Sequence, residues 1–186
     1  EEQPDPPAYA AHQLAQRLDI AIPSATPPLL ADSRLRSDLA RYAELLQRHP
    51  IPTNTATAGR IADALISAEP GPALTLLETA FLTREGQPRL LRIGATLIER
   101  LGAPVADELG RLHASLSQHV QSAVARARRY GTLELSRAWY VCGARLLEHF
   151  QNLKREQNLL DFADLEWLAY RLLSAADHAE WVQYKL

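Results

Sequence analysis

The sequence predicts an all-α protein: an irregular helical bundle with a long antiparallel helical hairpin extending from it as an arm. Apolar residues recur at three- and four-residue steps in nearly every stretch between breaks, the spacing that gathers one buried helical face. No stretch alternates β-branched and polar residues with period two, as a half-buried strand would. Glycine is scarce, at 8 of 186 residues, and prolines collect in EEQPDPP, IPSATPP and HPIPTNT, stretches that punctuate helices.

The elements follow in order. Between the first two proline clusters lies a short amphipathic segment, Tyr9 to Ile20. ADSRLRSDLARYAELLQRH then carries Leu35, Leu39, Tyr42, Leu45 and Leu46 on one face. After HPIPTNT, a break over residues 49–55, a shorter helix from Thr57 to Ala68 uses Ile61, Leu65 and Ile66 in the same way, and EPGP ends it. ALTLLETAFL, residues 73–82, leads into the polar turn TREGQPR and a further helix, LLRIGATLIERL, closed by Gly102 and Pro104. Two long periodic segments come next. Val105, Leu109, Leu112, Leu116, Val120 and Val124 repeat at near-heptad spacing up to Gly131, a natural helix-ending residue. Leu135, Trp139, Cys142, Leu146, Phe150 and Leu153 do the same from Thr132 to about Asn158. So short a link predicts that the two fold back on each other as an antiparallel hairpin over residues 104–158.

Composition narrows the function classes. With 47% hydrophobic and 23% charged residues the chain has a normal globular balance, which excludes disordered and fibrous classes. A formal net charge of -2 gives no overall attraction for nucleic acid, so any such role must come from local basic patches. The cations are lopsided: lysine stands only at 154 and 185, and all others are arginine. Arginine suits phosphate and carboxylate forks, and a base-composition bias that also enriches alanine accounts for the same excess. The single cysteine, Cys142, excludes an internal disulfide and a cysteine-cluster metal site, as expected of a cytoplasmic protein. No apolar run reaches the roughly 18 residues of a membrane span, and the N-terminus lacks the basic-then-apolar order of an export signal. No methionine occurs anywhere, which leads to the expectation that these residues come from the interior of a longer polypeptide.

One stretch near the end, KREQNLLDFADLEWLAYRLL, residues 154–173, passes from solvent-loving side chains to large hydrophobes with Asp161 lodged among them. Asp161 is placed to cap a new helix by accepting from the Asp164 backbone N–H, while Asp164 adds negative charge in the first turn, where the helix dipole favours it. Leu160 and Leu165 stand at the positions of a hydrophobic staple. Phe162, Leu168, Ala169, Leu172 and Leu173 then predict a broad buried face.

The wording of this stretch resembles the LDFDDL segment of the UvrD/Rep family of superfamily-one DNA helicases, most closely its helicase-nuclease branch typified by AddA and RecB. The matching residues are Leu160, Asp161, Phe162, Asp164 and Leu165, with Ala163 where the family often has aspartate. AFLTREGQPR, residues 80–89, is similar to a turn in the AddA-type insertion ahead of that motif. The resemblance covers roughly residues 30–186 and is strongest from Ala80 onward. The proline clusters set off punctuated helices over 1–55, and the resemblance implies a subdomain-1B-like helical region over 56–158 that contains the hairpin and helices over 159–186 where the chain re-enters the first motor domain. It also implies a parent protein that uses ATP and Mg²⁺. The partners it implies are duplex DNA held by its phosphate backbone, the remainder of the helicase motor and a second helicase-nuclease subunit, with no membrane.

No GxxxxGK[ST] loop occurs in the sequence and no acidic Walker B box is reached by Leu186. With neither the phosphate cradle nor the Mg²⁺ carboxylates, the expectation is no ATPase activity, no catalytic residue, no metal site and no cofactor in these residues themselves. His113 and His119 fall on different helical faces, and the six histidines show no ligand spacing.

Cations are the functional candidates that remain. Arg84, Arg89 and Arg92 cluster on and just after the TREGQPR turn, where a helix N-terminus with free N–H groups would welcome a phosphate. Arg126, Arg128 and Arg129 crowd the end of the first long segment, either as a DNA contact or simply as favourable charges at a helix C-terminus. Lys154 and Arg155 belong to the same surface or form a solvated helix end. Trp139, Trp167 and Trp181 lie on or beside apolar faces and are expected in the core rather than as base-stacking platforms. Two functions stay open: a duplex-DNA-holding subdomain of a helicase-exonuclease, and a scaffold that docks a partner subunit or nuclease domain through its helices.

Overall fold

The computed structural model of the chain describes residues 5–20, 29–174 and 184. Among them are seven α-helices and no strand: α1 (Pro6–Arg17), α2 (Ser33–Gln47), α3 (Pro52–Ile66), α4 (Pro70–Phe81), α5 (Ala95–Leu101), α6 (Ala103–Glu156) and α7 (Phe162–Ser174). The chain divides into two compact units, His12–Glu134 and the pair of segments Glu1–Ala11 and Leu135–Leu186.

The hairpin expected over 104–158 is instead one helix, α6, of 54 residues, and Gly131 lies in its interior. A glycine inside a helix costs about 1 kcal/mol relative to alanine, too little to stop a helix that is favourable on both sides. Gly131 has no proline beside it and no left-handed backbone to end the run.

Two proline clusters also read differently. Pro52 and Pro70 stand at the first positions of α3 and α4, so each opens a helix that the sequence reading began several residues later. There the missing N–H is one that no helix would pair. LLRIGATLIERL is helical only from Ala95, and Gly94 before it has extended backbone, with φ -91° and ψ 169°.

In the unit His12–Glu134 the heptad positions of α6 do what their spacing predicts. Leu109, Leu116 and Val120 are at most 1% exposed and join Leu39, Leu45, Ile61, Leu77 and Phe81 in one core. Each such side chain contributes about 1.5–3 kcal/mol of burial. Three rings meet where the core borders half-buried His113, with Tyr42–Phe81, Tyr42–His113 and Phe81–His113 centroids 5.4, 5.7 and 5.9 Å apart. Asp32 caps α2, accepting from the Arg34 N–H at 2.8 Å. Arg41 ties α2 to α6 through a two-pronged bond to Glu108, at 2.9 and 3.1 Å.

In the other unit, the second half of α6 is followed by a turn and α7. The turn ends the helix at Asn158, which takes a positive φ of 53°. The cap read from the sequence is present and reciprocal: the Asp164 N–H donates to Asp161 at 2.9 Å and the Asp161 N–H to Asp164 at 3.0 Å. The broad buried face is not. No residue of α7 is buried, and Phe162 is 86% exposed. Trp139 and Trp167, expected in the core, are 76% and 59% exposed. Trp181 lies outside the described residues. No helix among the described residues is long and apolar enough to cross a membrane.

Candidate nucleic-acid interface

The TREGQPR turn is a small closed loop. The Thr83 N–H donates to the Gln87 carbonyl at 2.7 Å and the Gly86 N–H to the Thr83 carbonyl at 3.0 Å. Gly86 takes a φ of 78°, the left-handed region that a side chain penalises. Gln121 of α6 donates to the Gly86 carbonyl at 3.0 Å, so the turn is held on the helix. Glu85 hydrogen-bonds Thr83 first, and this holds its carboxyl below the usual range.

Beyond the turn, the Arg89 backbone is held at both its N–H and its carbonyl. His113 Nε2 lies 2.6 Å from the Arg89 carbonyl, and His113 Nδ1 lies 2.8 Å from the Tyr42 hydroxyl. A carbonyl only accepts, so Nε2 carries the proton and Nδ1 accepts from the hydroxyl. Burial pushes the Tyr42 hydroxyl well above its ordinary range, which keeps it a donor. Ile93 is also close to α6: a Cβ on Gly110 would come within 2.8 Å of its Cδ1.

The candidate cations sort into three groups. Arg89 and Arg92 line a cleft of about 750 Å³ with Arg60 of α3 and His113 of α6, and Arg84 stands exposed on the turn itself. Among the described residues none of these four arginines has an ion pair. No carboxylate lines the cleft. Arg128 lies near the turn but is bound to Glu78 of α4 at 2.6 Å, and Arg129 donates to the Leu18 carbonyl at 3.4 Å. Arg126 is exposed.

The third group belongs to the other unit, and there Lys154 corrects the expectation. It is 7% exposed, and its Nζ lies 3.0 Å from Asp161, 2.6 Å from Asp164 and 4.9 Å from the Phe150 ring centroid. Its charge closes the α7 cap and is not offered to a ligand. Asp164 first, then Asp161, holds its ammonium above the ordinary range. Arg155 remains exposed beside a cleft of about 430 Å³ lined also by Leu159, Leu160, Trp167 and Leu168.

The helix N-terminus expected at the turn arginines is not there, since α5 starts at Ala95. α3 supplies one instead. Its first residues, Pro52, Thr53 and Asn54, line the cleft, its first turn contains no acidic residue, and no side chain caps it. Sequence reasoning missed Arg60. Its one signal was that it is the sole charged cation in PTNTATAGRIADALI.

Among the described residues no group of three or more His, Cys, Asp or Glu side chains is placed to hold a metal. Comparison with family models, curated proteins and solved structures finds no match.

Proposed function

We propose that the chain is a duplex-DNA-binding accessory subdomain of an ATP-dependent DNA helicase and exonuclease acting in double-strand break repair and recombination. The motor elsewhere in that parent would bind ATP and Mg²⁺, and these residues would hold the duplex by its phosphates. The observation that carries the reading is the contrast among cations: Arg84, Arg89 and Arg92 have no carboxylate partner among the described residues, while Arg128 and Lys154 do. The LDF-type stretch at Leu160–Leu165 supports the family. Contacts of this kind fix position along the duplex without reading sequence.

Binding of a mixed-sequence duplex by the full chain, titrated against salt, tests it. Each phosphate neutralised contributes about 0.9 to the slope of log affinity against log salt. Replacing Arg84, Arg89 and Arg92 by alanine is expected to weaken binding and flatten that slope. Unchanged affinity and slope would refute the contact.

The scaffold reading has its own observation. Phe162, Trp139 and Trp167 are exposed together with Leu135, Leu146 and Leu172, more large apolar surface than scattered single residues explain. Capture of a second helicase-nuclease subunit or nuclease domain, with no duplex binding at low salt, would favour it.

A further inference from the structure

We propose that the cleft shared by Arg60, Arg89, Arg92 and His113 is a phosphoryl site that seats one nucleotide unit. Three guanidiniums from two distant stretches of chain line a concave surface with no carboxylate to neutralise them. Guanidinium forks match phosphate oxygens in pairs, and several cations facing one cleft favour a polyvalent anion over a single carboxylate. Thr53 and Thr57 line the same cleft and bring hydroxyl donors, and the uncapped first turn of α3 adds its orphan N–H groups.

The site is held in shape before any ligand arrives. The bond from His113 to the Arg89 carbonyl and the one from Tyr42 to His113 tie the Arg89 backbone to α6 and α2, which lowers the ordering cost of binding there. The cleft, about 750 Å³, is far larger than a phosphate and has an apolar wall that includes Leu46, Leu90 and Leu91. There is room for the attached sugar and base. The occupant is therefore a nucleotide, either free or as one unit of a strand. The strand source rests on the DNA reading above, and the free source does not.

The test uses the full chain with thymidine 5′-monophosphate and thymidine as probes, followed by the NMR signal of the Arg60 Nε–H group. The monophosphate is expected to move that signal and thymidine to leave it in place. Arg60→Ala is expected to weaken the monophosphate about tenfold, the order of a lost charge-assisted hydrogen bond, with Arg60→Lys restoring part of it. Far-UV circular dichroism of each variant confirms the fold. In parallel, duplex affinity is compared for Arg60→Ala and Arg84→Ala, because Arg84 does not line the cleft.

If Arg60→Ala weakens both the monophosphate and the duplex, a strand unit is the occupant. If the monophosphate binds through Arg60 while the chain binds no duplex at low salt, the cleft is a free-nucleotide site and the DNA reading fails alone. If thymidine moves the signal as much as its monophosphate, or Arg60→Ala leaves both affinities unchanged, the phosphoryl site is overturned. In that last case a loss in Arg84→Ala would still uphold the turn as a DNA contact.

Discussion

The two halves of α6 carry nearly the same apolar spacing and meet opposite surroundings. In the first half Leu109, Leu116 and Val120 are at most 1% exposed, whereas in the second Leu135, Trp139 and Leu146 are 74%, 76% and 68% exposed. Periodicity thus specifies that a helix has an apolar face, but not what lies on it. The first half finds α2, α3 and α4 in its own unit, with a ring cluster in contact with their core and a half-exposed bidentate Arg41–Glu108 tie beside it. The apolar positions of the second half stay largely exposed among the described residues, although Lys154 is covered, and no residue of α7 is buried.

The contrast is broken most directly by truncating matched leucines. Leu116→Ala is expected to cost about 3–5 kcal/mol, because a fully buried leucine leaves a cavity that a close-packed core fills poorly. Leu146→Ala is expected to stay within about 0.5 kcal/mol. Urea denaturation followed by circular dichroism measures both. Equal costs would mean that the second half of α6 is buried in solution.

A smaller, local effect is expected at the start of α7. Two bonds, first from the Asp164 N–H and then from Lys154, hold the Asp161 carboxyl below its ordinary 3.8, and Lys154 is held above its ordinary 10.5. A depressed carboxylate stabilises fully above its unfolded value and loses that contribution as pH falls through the folded one. A raised ammonium stabilises fully below its unfolded value and loses its share as pH rises through the folded one. The cap is therefore complete between those limits and opens first on the acid side. Asp161→Asn keeps an acceptor but loses the charge, so it should reduce amide protection at Leu165 near neutral pH. The difference from wild type should shrink as the pH drops below about 4. A difference that persists undiminished into acid would remove charge from the cap.

The smallest effect distinguishes one helix from a hairpin. A Cβ at Gly131 meets nothing within 4 Å and the residue lies inside α6. Gly131→Ala is expected to stabilise by about 0.5–1 kcal/mol through helix propensity alone. Destabilisation would restore the turn that the sequence alone had indicated.

What was legible divides along the same line. The Asp161 cap could be read because its two partners are three residues apart and the chemistry is local. The core of His12–Glu134 could be read because its apolar stripes are mutually consistent. The hairpin was misread because a single glycine is ambiguous between helix end and helix interior, and only the absence of a second stop signal decides it. Lys154 looked like a solvated cation until the turn at Asn158 brought both aspartates onto it. The cleft brings Arg60 together with Arg89 and Arg92 among residues of four helices and a turn, a juxtaposition that no spacing rule conveys.

We propose that the unit His12–Glu134 meets duplex DNA through the turn arginines Arg84, Arg89 and Arg92, and Arg155, exposed in the other unit, serves as the comparison. The measurement is the salt slope of duplex affinity for wild type, for the Arg84→Ala, Arg89→Ala, Arg92→Ala triple variant, and for Arg155→Ala. The slope is expected to flatten by as much as about 3 in the triple variant and to stay unchanged in Arg155→Ala, one unit for each phosphate contact removed. An unchanged slope in the triple variant, with a flattened one in Arg155→Ala, would contradict it.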